Sequence, residues 1–90
     1  METINIKIRV IRKLVRWKKW GCSHTENILK GLPSHLRGEK ATREALKELT
    51  RARWIIPLIK AGEIHYSLKP KKEEEISGFY EEHQSDNVSN

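Results

Sequence analysis

Apolar residues between positions 39 and 54 recur with the period of a helix. At about 100° per residue, Thr42, Ala45, Leu46 and Leu49 fall on one side and Lys40, Arg43, Lys47 and Arg51 on the other. The spacing predicts a helix over 39–52 with one face in a core and a row of cations along the other. Glu44 and Glu48 border that row and can pair with it at i,i+4.

The segment from Thr3 to Trp20 carries two patterns. Ile4, Ile6, Ile8 and Val10 alternate with polar residues, as in a strand. Ile4, Ile8, Ile11 and Val15 repeat with a helical period, and the run is too long for an ordinary strand. A helix over 5–20 is therefore expected, with Gly21 as its C-cap, although its β-branched start is a poor helix former. Val10, Leu14 and Trp17 widen the apolar arc beyond what one contact needs, so a second element or a second copy of the chain should cover the surplus. Arg9, Arg12, Arg16 and Lys19 form the polar side.

Ser23 or Thr25 is placed to cap a short helix over 25–31, with Ile28 and Leu29 turned inward and Gly31 and Pro33 ending it. Ser34 to Gly38 makes a turn with room for a helical turn of its own. Trp54 to Ile59 is a β-rich run whose Pro57 assigns it to a sheet edge or a bulge. Lys60 to Glu63 reads as a turn, and Ile64, Tyr66 and Leu68 share one face of the returning strand, completing a hairpin over 54–68. Pro70 opens a last helix over 71–83, with Glu73, Glu74 and Glu75 in its first turn. Ile76, Phe79 and Tyr80 are its candidates for covering the first helix, and 84–90 is polar and expected to be disordered. The sum is one domain over 1–83, mainly α with a small β-hairpin.

Charge sharpens this picture. Residues 1–70 hold 16 Lys and Arg against 6 Asp and Glu, a balance of +10, while residues 71–90 hold 2 against 6, or −4. A body this basic favours polyanions as partners. Cys22 is the single cysteine, which fits a reducing, cytoplasmic setting. No apolar run reaches the roughly 18 residues of a membrane span.

The order helix, helix, turn, helix, β-hairpin, helix resembles the winged helix-turn-helix DNA-binding family. The stretch His24-Thr25-Glu26-Asn27-Ile28-Leu29-Lys30-Gly31-Leu32-Pro33-Ser34-His35-Leu36-Arg37-Gly38, followed by Ala45-Leu46-Lys47-Glu48-Leu49, looks most like small archaeal winged-helix proteins of unassigned role. The resemblance implies that helix 39–52 is a recognition helix, with Lys40, Arg43, Glu44 and Lys47 facing the major groove and Lys60 to Glu63 forming the wing tip. The family usually has glycine where the recognition helix ends. Here Ala52-Arg53 stands there, so Arg53 either continues the helix or takes a strained conformation. The short wing carries one cation, Lys60, against Glu63.

The expected function is DNA binding by a transcriptional regulator. Arg37, Lys40, Arg43, Glu44, Lys47, Arg51 and Lys60 would meet the duplex, with Arg16, Lys18 and Lys19 at the end of the first helix beside them. The alternatives are RNA binding by the same surface or a protein-interaction module. A homodimer through residues 4–17 and 76–80 would suit two half-sites on DNA. Trp17, Trp20 and Trp54 are expected in the core or an interface, with Trp20 beside Lys18 and Lys19 the one candidate for stacking on single strands. Cys22, His24 and His35 match no zinc spacing, no cofactor motif is present, and no nucleophile has an evident base, so no enzyme is expected.

Overall fold

Four side chains of the first helix, α1 (Thr3–Arg16), are completely withdrawn from solvent: Ile6, Val10, Ile11 and Leu14. Each contributes about 1.5–3 kcal/mol by leaving water. The structure, a computed structural model, describes residues 3–21, 24–32 and 34–83, and of Gly31, Leu36 and Arg37 the backbone only. The segments 1–2 and 84–90 and the residues Cys22, Ser23 and Pro33 lie outside the described residues, and with them the expectations of a Ser23 cap and a disordered tail.

The buried arc of α1 is rotated by roughly 100°, one residue's turn, from the stripe expected at Ile4, Ile8, Ile11 and Val15. Ile6 is in the core and Ile4 is 43% exposed. With isoleucine or valine at every other position from 4 to 10, the pattern could not fix the phase; packing against α4, α5 and β2 does.

The helix also ends earlier than the expected 5–20, at Arg16. Lys18 adopts a left-handed conformation (φ 54), the Lys18 N–H donates to the Val15 carbonyl (3.0 Å) and the Lys19 N–H to the Leu14 carbonyl (3.0 Å). This is a Schellman cap, and it places lysine where glycine is preferred. Gly21 (φ 84) lies beyond it, and its N–H donates to the Leu68 carbonyl as part of the pairing of this segment with the hairpin.

The second helix is shorter than the expected 25–31. It is a single turn, α2 (Ile28–Gly31), because residues before it are used elsewhere. Glu26 exchanges both backbone hydrogen bonds with Tyr66 (2.9 and 2.8 Å), and Asn27, not Thr25, caps the turn by accepting from the Lys30 N–H (3.4 Å). Another single turn, α3 (Ser34–Arg37), leads into α4 (Lys40–Arg51), which buries Thr42, Ala45, Leu46 and Leu49, the face read from its periodicity. α4 ends as α1 does: Arg53 is left-handed (φ 65), its N–H donates to the Thr50 carbonyl (3.0 Å) and the Trp54 N–H to the Leu49 carbonyl (3.0 Å). Arg53 thus reverses the chain and does not extend the helix.

Strands β1 (Ile55–Lys60) and β2 (Glu63–Leu68) form a two-stranded antiparallel hairpin. Ala61 (φ 52) and Gly62 (φ 79) fill its two-residue loop, the positive φ pair that a type I′ turn requires. Pro57 faces Tyr66 in the register. Both backbone groups of Tyr66 point away from β1 toward Glu26, so this is a non-hydrogen-bonded pair and the missing N–H of Pro57 costs no ladder bond. The far edge of β2 is covered by Glu26 and by Trp20, whose neighbours Lys19 and Gly21 bond Leu68 (2.6 and 2.9 Å). Tyr66, Ser67 and Leu68 are therefore all buried, while Ile64 near the tip is 46% exposed despite sharing a face with Tyr66 and Leu68.

A 3₁₀ turn (Pro70–Lys72) precedes α5 (Glu73–Glu82), a slightly shorter last helix than the expected 71–83. Ile76 is fully buried, and Phe79 and Tyr80 pack at the core's edge. Phe79 meets Trp54 edge to face at 5.4 Å. The chain is mainly helical with one hairpin, and none of its described helices is long and apolar enough to cross a membrane.

The phase of α1 is directly testable. Ile6→Ala is expected to cost about 2–5 kcal/mol of unfolding free energy, whereas Ile4→Ala should cost about 0.5 kcal/mol. Urea denaturation of both variants decides, and equal losses would contradict the burial of Ile6.

Candidate nucleic-acid interface

Because Thr42, Ala45, Leu46 and Leu49 are held in the core, Lys40, Arg43, Glu44, Lys47 and Arg51 are forced onto the open side of α4, and all five are exposed. Their local partners differ. Lys40 lies 4.0 Å from Glu44. One Arg43 guanidinium nitrogen donates to the Gly38 carbonyl (3.0 Å), fastening the turn before α4 and leaving the other donors of the fork available. Glu48 does not neutralise the row: it pairs with Lys7 of α1. Among the described residues neither Lys47 nor Arg51 has an ion-pair partner, so the distal half of the row keeps its charge.

Arg43, Lys47 and Arg51 line an open groove of about 670 Å³ whose other wall is the hairpin, at Pro57, Ile64 and Tyr66. Lys40 stands outside it. The hairpin residues of this wall were not among the sequence candidates. Their signal was weak, because strand alternation shows which residues share a face and not which helix lies opposite.

Lys60 and Glu63 face each other across the base of the turn. Glu63 pairs instead with Lys30 of α2 (3.2 Å). The Lys30 ammonium, by a hydrogen bond and by its charge, holds the exposed Glu63 carboxyl below its usual 4.5, which ties the hairpin tip to α2. The side chain of Arg37 lies outside the described residues.

The three cations at the end of the first helix separate from this groove and from one another. Lys18 is exposed in its left-handed cap, and Lys19 lies 3.8 Å from Glu26. Arg16 lines a different cleft, with Arg9, Arg12, Lys13, Trp17 and Leu32. Trp17, expected in the core or an interface, is 52% exposed, because α1 has ended before its side chain can turn inward. Trp20 and Trp54 are half-buried against the core, so Trp20 offers no open platform. His24 and His35 are exposed, Cys22 is outside the described residues, and no metal-ligand cluster occurs among those described.

No family model, curated protein or solved structure matches the chain.

Burial pushes the Tyr66 hydroxyl in the groove wall above its usual 10.0. The unfolded chain gives up that proton first, so this contribution to stability is complete below the unfolded value and is lost as pH rises through the folded one. Tyr66→Phe should therefore flatten the decline in urea midpoint as pH rises above the usual tyrosine value of 10.0. A decline as steep as in the wild type would contradict the assignment.

Proposed function

We propose that the chain is a winged helix-turn-helix DNA-binding protein acting in transcriptional regulation, with α4 in the major groove of a duplex and the β1–β2 hairpin as its wing. The observation that carries this reading is the groove between them. Arg43, Lys47 and Arg51 project from a helix anchored on its opposite face, and α2, α3 and the turn at Gly38 precede that helix in the order the family shows. Lysine and arginine on phosphates supply affinity with counterion release, and the planar fork of Arg43 or Arg51 suits a guanine edge. Lys40 and Lys60 extend the positive field at either end. No chemistry beyond binding is part of the proposal.

A homodimer through residues 4–17 and 76–80 stays part of the proposal; with Val10, Ile11, Leu14 and Ile76 buried within one chain, such a contact would use the exposed residues of that surface, such as Ile4. Ile59, 78% exposed, and Ile64 flank the wing tip and favour a second reading, an apolar contact with a protein partner.

Salt dependence separates the two. With about six phosphate contacts, affinity for a mixed-sequence duplex should fall on the order of a thousandfold between roughly 50 and 200 mM salt. An Arg43→Ala/Lys47→Ala/Arg51→Ala variant should bind weakly, with about half that logarithmic slope. Fluorescence anisotropy checks both. Absence of duplex binding at low salt, or a variant that binds like the wild type, would contradict the DNA reading.

A further inference from the structure

The cleft on α1 shares no lining residue with the α4 groove. Arg9, Arg12, Lys13 and Arg16 follow one another at helical spacing, and among the described residues no carboxylate lines the cleft with the three arginines. Trp17 stands at its end, half exposed, with the Lys13 ammonium 4.4 Å from its ring centroid. The Nε of Arg12 is buried and has no hydrogen-bond partner among the described residues. These features belong together. Arg9, Arg12 and Arg16 make a polyanion site, and an aromatic ring beside them adds a stacking surface. The Lys13 ammonium lies over one face of that ring and leaves the residue half exposed; cation–π attraction of this kind is worth about 0.5–1 kcal/mol at exposed sites.

From this arrangement we infer that α1 carries a second nucleic-acid site, one for unpaired nucleotides of a single strand. A duplex keeps its base faces stacked inside and has no use for the Trp17 ring, whereas a single strand offers phosphates to the arginines and a free base to the indole. From Arg9 to Arg16 the helix runs about 10 Å, enough for about three nucleotides at the roughly 3.4 Å rise of a stacked strand. Trp17 is half exposed and outside the buried core, and its Lys13 contact is worth about 0.5–1 kcal/mol, so the fold should tolerate its replacement.

Single-strand binding by labelled 12-mers of oligo(dT) and oligo(rU), measured by anisotropy at roughly 50 mM salt, tests the inference; the two strands show whether the sugar matters. The wild type should bind at least one of them. Trp17→Ala should weaken that binding on the order of tenfold, and Trp17→Phe, which keeps a ring, should recover most of the loss. Arg9→Gln/Arg16→Gln should reduce the logarithmic salt slope by about 1.4, two single-strand phosphates. Duplex binding by Trp17→Ala should match the wild type, so this site and the α4 groove can fail independently. The inference is overturned if neither strand binds, if Trp17→Ala binds them like the wild type, or if single-strand binding disappears instead in the Arg43→Ala/Lys47→Ala/Arg51→Ala variant.

Discussion

Two amphipathic helices, α1 and α4, press their apolar faces into one core, and each is strongly basic on its other side. Ile6, Val10, Ile11 and Leu14 on one helix, with Ala45, Leu46 and Leu49 on the other, can leave water only if the two helices are packed face to face or share a common cover. The Lys7–Glu48 pair joins their polar margins. Once those faces are committed, the cations have no freedom of placement. Lys47 and Arg51 must look outward from α4, and Arg9, Arg12 and Arg16 outward from α1. The charged surfaces are thus a consequence of the core, not a separate feature added to it.

The hairpin completes the enclosure and gives α4 its neighbour. β2 is paired on both edges, by β1 on one side and by the backbone around Trp20 and Glu26 on the other. That double pairing explains why three successive residues of β2 are buried and why α2 is only one turn long. A segment that pairs as a strand at Glu26 cannot also be the first turn of a helix. The same pairing fixes the hairpin beside α4, and the ion pair between Lys30 and Glu63 secures its tip.

The sequence showed these features unevenly. The buried face of α4 was legible residue by residue, because its polar and apolar positions differ sharply in kind. α1 was legible as a helix but not in phase or length. Isoleucine and valine occur around much of its circumference, and its end is made by Lys18, a residue that gives no stop signal. Arg53 repeats that device at the end of α4. In both caps the hydrogen bonds to the last-turn carbonyls offset a backbone conformation that costs a non-glycine residue roughly 1–2 kcal/mol. The early end of α1 is also what exposes Trp17. A pattern-based reading that carries the helix to Trp20 places that indole inside. Pairing at Glu26 and Tyr66 joins residues 40 positions apart and has no local signature.

We propose that the face of α4 opposite its buried stripe, together with the hairpin, receives a duplex. Amide chemical-shift mapping on the labelled chain with an unlabelled duplex of about 15 base pairs addresses it without any substitution. Shifts should concentrate at Arg43, Lys47 and Arg51 and at the facing hairpin residues around Ile64, with α5 unaffected. Shifts confined to α5 or to the Ile4 end of α1, with α4 silent, would contradict it.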